Sequence, residues 1–576
     1  MNRLALPLAA ALILSIIGAP PAAGASKATS WTAWLATNGA ASLSLPSSGT
    51  GTIAVRLAGL APRKTYRVAL ERGTCAPVGN SAWLSLPAMG ASSAGAVSRS
   101  VRLTAKQSAQ ARAYVRSGLV IRVGSLCGRF IVPLPPMTLG DGDAYFSIGG
   151  RRQVVFERNL TAYWQTDFNT ILGLTKAGGS RLMRVQLELG FGNANVITPT
   201  GAVDETWAQK WEQVFDEANA DGIYVIVVFS DWADWNDGTP DYGWSGEWKG
   251  NPLNQANGGP AATPGDLFVA GSRTQVLWLD WAKALVHRWR DRTNIAAWEV
   301  FSEVNLASGV TESTGTAFVE QAAAAVRAAD PNHHPVTASL AGPNDWAGLL
   351  ASSVLDFNEV HPYPASGQLD TTIIADVRGK LAEVGKPVLI GESGLNAAAP
   401  DGTTLETAPR AAVGVRHAIW AGLVSGAMDA RALWFEDAYG LYTPDLGMPY
   451  IRTYANAELA ASRFAGSIDF AGFAPLAAQT SSGLVGAALG SATRAIGWFR
   501  DAACEPPDWP VQPVAAGQTV ALTVPGTAAR WQVDFYDTAT GTRITSSAVA
   551  AREGTSVTIT LPDFVDDIAF KMAPVP

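Results

Sequence analysis

The chain has 576 residues, of which 48% are hydrophobic and 16% charged, with 57 glycines. That composition belongs to a globular protein long enough for several domains, and it excludes disorder on a large scale. A net charge of −7 spread over this length leaves no basic stripe for phosphates, which excludes nucleic acid as a partner. Three cysteines and five histidines without ligand spacing exclude a zinc site, and no cofactor is expected.

Met1-Asn-Arg is a short positive start, Leu4 to Gly18 is an apolar core too short to span a bilayer comfortably, and Ala23-Gly-Ala25 fits a signal-peptidase site. Residues 1–25 therefore read as a signal peptide of a secreted protein, the competing reading being an uncleaved anchor. No later stretch is apolar enough for a membrane helix, and a monomer is expected. Export permits disulfides, so Cys75 and Cys127, both in the N-terminal region, are expected to pair and leave Cys504 free.

Residues 26–137 alternate short apolar segments with Gly, Ser and Pro clusters, predicting an N-terminal β-sandwich with a helical stretch at Ala105 to Val115. Its role reads as either carbohydrate attachment or a structural spacer. Pro133-Leu-Pro-Pro136 and Gly140-Asp-Gly-Asp143 carry linker chemistry. From 138 to 466 the rhythm becomes strands separated by helical patterns, which predicts an α/β fold with a parallel sheet. Eight strands suit a closed (β/α)8 TIM barrel: Gln153–Phe156, Leu182–Leu187, Tyr224–Phe229, Ile295–Phe301, Val336–Ser339, Phe357–Val360, Val388–Ile390 and Ala432–Phe435. An insert from Trp232 to Asp266, rich in Trp, Gly, Asn and Asp, is expected as a loop outside the core. Residues 467–576 return to short strands and predict a C-terminal β-sandwich.

The fourth strand delivers Glu303 just past its end, and Pro387-Val-Leu-Ile-Gly-Glu-Ser-Gly394 delivers Glu392 in the same way. A parallel barrel places its chemistry at that rim. Trp298-Glu-Val-Phe-Ser-Glu303, Glu359-Val-His-Pro-Tyr363, Ile390-Gly-Glu-Ser393 and Ala432-Leu-Trp-Phe435, in this order, resemble retaining glycoside hydrolases of the large (β/α)8 clan, cellulase-like and mannanase-like, of the family 5 type.

The resemblance implies that Glu303 is the general acid/base and Glu392 the nucleophile of a two-glutamate cleavage, with their carboxyl groups roughly 5 to 5.5 Å apart. It implies that Arg184 bonds the nucleophile, although an ion pair with Glu188 or Asp231 is an equal alternative. His361 and Tyr363 share one strand face and are candidates to point into one cleft. Trp434 offers a flat face to a sugar ring, and Trp232 is the favoured platform among the tryptophans of the insert. The family pattern has Asn before the acid/base and His after the third strand; this chain has Ser302 and Ser230-Asp231-Trp232. The expected partner is a β-linked polysaccharide or oligosaccharide. The rival readings are a transglycosylase and a catalytically silent carbohydrate-binding barrel.

Overall fold

The computed structural model describes residues 28–575 apart from 37–38, 74, 76–81, 161–167, 188–195, 239–246, 343–345, 396–407, 409, 432–447 and 553–555. Two compact units divide the chain, Met1–Phe130 and Ile131–Pro576. The expected signal segment, Glu188, Trp244 and Trp434 lie outside the described residues.

The first unit holds two four-stranded antiparallel sheets. Thr29–Trp34, Gly39–Leu45, Thr52–Leu57 and Val97–Arg102 form one, while Ala82–Gly90, Thr65–Arg72, Leu119–Val123 and Leu126–Arg129 form the other. Alternation puts Leu43, Ile53 and Val55 of the first sheet into one core with Val68, Leu70 and Ile121 of the second. The helix Ala105–Val115 begins at a capping box in which Thr104 and Gln107 satisfy each other's backbone N–H groups. Cys75 and Cys127 are joined, with Cα atoms 5.7 Å apart, and Cys504 is free and buried. Closing a loop of this length stabilises by roughly 2 to 4 kcal/mol, mainly through the unfolded chain.

In the second unit eight parallel strands form a ring: β1 Val155–Leu160, β2 Leu182–Gln186, β3 Tyr224–Val228, β4 Ile295–Glu299, β5 Val336–Thr337, β6 Asn358–Val360, β7 Val388–Ile390 and β8 Asp429–Arg431. Ladders run β5-β4-β3-β2-β1-β8 and β6-β7. Two bonds close the remaining seams: Asp356 N donates to Val336 O (2.9 Å) between β5 and β6, and Met428 N to Val388 O (2.8 Å) between β7 and β8. The described part of the eighth strand is Asp429–Arg431, and the apolar run Ala432–Phe435 expected from sequence lies outside the described residues. The strand's signal was hidden because Asp429 and Arg431 are charged residues buried inside the ring.

The strands are covered on both faces, which is why they read as nearly continuous apolar runs. Met183 and Val185 on β2 and Leu187 just past it, with Val225 and Val227 on β3 and Phe229 just past it, face the helices. Leu182, Tyr224, Ile226, Phe357 and Leu389 fill the lower interior, with Phe146 and Ile148 of the three-stranded sheet that precedes β1. Helices Glu205–Asp221, Arg273–Trp289, Glu312–Ala329, Leu369–Val384 and Ala411–Ser425 occupy intervals between strands. The insert after β3 is not merely an outer loop: Trp235, Trp248 and Leu253 are buried in the main core, because short helical turns fold these side chains back under it.

Past the helix Met448–Ala465, nine antiparallel strands enclose a core that includes Phe499, Trp531, Phe535 and Phe570. Trp498 and Leu489 of this sheet pack in the same cluster as Trp420 and Ile419 of the helix Ala411–Ser425. Arg416 of that helix pairs with Asp567 at 2.6 Å.

Candidate active site

Side chains alternate along a strand, so the inward row of β2 runs from apolar Leu182 at the bottom to Arg184 and Gln186 at the rim. Arg184 is completely buried, and a charge there persists only with close partners. Its guanidinium forks onto Glu299, Nε to Oε2 at 2.6 Å and Nη2 to Oε1 at 2.7 Å, and Nη1 donates to Glu392 Oε1 at 2.8 Å. Of the alternatives left open by the sequence, Asp231 is instead bound by Gln186, whose Nε2 donates to it at 3.0 Å.

Glu392 follows β7 and also accepts from the Tyr363 hydroxyl at 3.0 Å. Burial works to raise its pKa, but His361, Arg184 and Arg431 outweigh burial and hold it below the ordinary carboxylate value. Glu303 follows β4 in the left-handed region, φ 52°, a conformation that is strained for a residue with a Cβ. Its N–H is held by Ser339 Oγ at 2.9 Å, and the same hydroxyl donates to Glu299 Oε1 at 2.9 Å. His361 Nδ1 donates to Glu303 Oε1 at 2.7 Å. Burial and the neighbouring charge of Glu392 nonetheless raise the Glu303 pKa above the ordinary value. Two glutamates in one pocket have therefore been pushed apart, one toward the acid and one toward the base.

One carboxylate oxygen from each glutamate and a ring nitrogen of His361 all lie within 4.8 Å of one another. The spacing matches a metal cluster's, but the donors are already engaged, by Arg184 and Tyr363 on Glu392 and by the His361 N–H on Glu303. Burial works to lower the His361 pKa, yet Glu392, Glu303 and Glu359 raise it to about 10.

Ser302 is completely buried, its hydroxyl has no partner among the described residues, and its backbone bridges to Asp231. Trp232 is half-buried at the start of a short helical turn capped by Asp231. Sequence reasoning missed Glu299, Glu359, Glu157 and Asp429. Each is an acidic residue inside a short strand run, and that position was the available signal. Burial drives Glu299 and Asp429 up to about 7. Such groups bind protons in the folded chain that the unfolded chain has already lost, so stability falls as pH rises from the ordinary carboxylate value through 7. The melting temperature is expected to be higher at about pH 5 than at about pH 8. Scanning calorimetry at the two values checks this, and the opposite order would contradict it.

The sequence model of the cellulase family, glycosyl hydrolase family 5, matches residues 152–421, a span that contains Arg184, Glu303, His361, Tyr363 and Glu392 but not Asp429 or Arg431. The chain is 24% identical over 302 residues to mannan endo-1,4-beta-mannosidase 3 of Oryza sativa subsp. japonica, covering 44% of this chain and 62% of that enzyme, so it spans about three fifths of that curated relative. Its fold is similar to that of a glycoside hydrolase family 5 structure from Bacteroides vulgatus ATCC 8482, with TM-score 0.51 and 13% identity, covering 76% of this chain and 93% of the other. A second solved structure, described as a glycoside hydrolase, is similar at TM-score 0.51 and 13% identity, over 76% of this chain and 97% of that one. Over residues 152–421 the chain is thus similar to glycosyl hydrolase family 5, and the solved structures share its fold.

Proposed function

We propose that the protein is an exported, retaining β-glycoside hydrolase that cleaves within a β-glycan of the mannan or cellulose kind. The observation that carries this reading is the pair of buried glutamates whose carboxylate oxygens stand within 4.8 Å. Oxygens this close favour the short carboxyl separation, roughly 5 to 5.5 Å, that suits direct attack on the anomeric carbon over the wider one that holds a water between the groups. Glu303, with its raised pKa, gives a proton to the leaving sugar oxygen while Glu392 attacks. Glu303 then takes a proton from the water that releases the glycosyl group.

His361, Arg184 and Arg431 keep Glu392 ionised, and the hydrogen bonds from Arg184 and Tyr363 aim it. Trp232 and Trp434 are assigned as sugar platforms, and Ser302 as the residue that departs from the usual contact to the 2-hydroxyl. We read residues 1–25 as the export signal, and 26–137 and 467–576 as β-sandwich modules flanking the barrel of 138–466. The two four-stranded sheets around one core at the N-terminal end, and the nine antiparallel strands around a core at the C-terminal end, support that reading. The experiment is incubation of the purified protein with a panel of β-mannans, β-glucans and xylans, with chromatography of the products. Short oligosaccharides of mixed length from a mannan or glucan are expected; no release from any β-glycan would overturn the assignment.

A further inference from the structure

Glu359 lies on β6 two residues before His361, so both side chains enter the barrel from the same strand face. Neither of its carboxylate oxygens has a hydrogen-bond partner among the described residues, although the side chain is completely enclosed. An enclosed carboxylate without hydrogen bonds is costly unless charges nearby repay it. Two such charges stand on either side: Arg184 Nε is 3.8 Å from Glu359 Oε2, and His361 Nε2 is 3.7 Å from the same oxygen. These are the two cations that also touch Glu392 and Glu303.

The backbone keeps this space open. Gly391 directly precedes Glu392, and a Cβ on it would lie 2.0 Å from Glu359 Oε2 and 2.6 Å from His361 Nε2. The glycine is needed because the carboxylate and the imidazole occupy the volume any side chain would fill. Its carbonyl is held in turn by Arg431 Nη1 at 2.6 Å.

Resting on the reading of Glu303 as the acid, we infer that Glu359 is a positioning residue that holds His361 as an imidazolium, so that the Nδ1–H stays on Glu303 through the catalytic cycle. The groups facing His361 are Glu303 and Glu299 from the β4 side, Glu392 after β7, Arg184 on β2 and Glu359 on its own strand. Arg431 on β8 acts on the neighbouring Glu392. Removing the Glu359 charge lowers the proton affinity of every group in this set. The Glu303–His361 pair then gives up its proton at a lower pH.

The test pairs Glu359→Gln, which keeps the shape and removes the charge, with Glu359→Asp, which keeps the charge. The His361 ring nitrogens are titrated by NMR in each full-length variant, and the pH profile of kcat/KM is recorded on the active glycan. In Glu359→Gln the His361 titration and the basic limb are both expected about one unit or more lower, while Glu359→Asp keeps both near the parent values. An unmoved His361 titration in a folded Glu359→Gln protein overturns the inference, whatever the rate. The NMR arm does not depend on turnover, so failure of the hydrolase reading is seen separately, as no turnover by the parent protein on any glycan.

Discussion

Glu392→Gln is expected to lower kcat by roughly 10³-fold or more with the fold intact, a loss of about 4 kcal/mol or more of transition-state stabilisation. The amide has nearly the volume of the acid, keeps an oxygen to accept from Arg184 and turns its NH2 to donate to the Tyr363 hydroxyl oxygen, so the pocket does not collapse. It has no charge with which to attack an anomeric carbon, and it no longer raises the proton affinity of Glu303. Initial rates on the active glycan, with circular dichroism to verify folding, measure this. A folded variant within tenfold of the parent rate would remove Glu392 from the mechanism.

Arg184→Met is expected to cost stability as well as turnover. The guanidinium makes three bonds of 2.6 to 2.8 Å to Glu299 and Glu392 in a site with no exposed surface at Arg184 or Glu299. Taking away one side of such a buried cluster strands the other, at a cost of about 3 to 5 kcal/mol. The sign with pH follows. Without the cation the pKa values of both carboxylates rise, they protonate more readily, and the destabilisation shrinks as pH falls. Urea unfolding at about pH 5 and about pH 8 checks this, and a variant as stable as the parent at the higher pH would contradict it. Arg184→Lys is no substitute, because a single ammonium cannot reproduce the fork.

Most of the barrel was legible because its strands are covered on both faces and read as apolar runs ending in a charged residue. Glu303 and Glu392 could be found in that way, as strand runs that end in an acid. The interior of the upper barrel was not legible for the converse reason. Glu157, Glu299, Glu359, Asp429 and Arg431 face inward within the strands, where sequence reading expects apolar residues, and only the closing of the ring brings them together. The start of the eighth strand, Asp429–Arg431, was missed for the same cause. Arg184 was correctly singled out as a buried cation. Its fork onto Glu299 was not foreseen, since two acids four positions apart in Trp298-Glu-Val-Phe-Ser-Glu303 have no local sign saying which is structural. The insert after β3 misled through its polarity, because Trp235 is carried into the core by the turn that Asp231 caps and Trp248 by the short helix Glu247–Gly250.

The stereochemistry of cleavage tests the two-glutamate account most directly. Proton NMR of the anomeric signal of freshly released product, recorded before mutarotation, is expected to show the β-anomer from a β-linked substrate, because Glu392 attacks the sugar itself and water then enters from the side the leaving group vacated. An initial α-product would mean a single displacement by water, and a pocket whose carboxyl groups stand far enough apart to hold it.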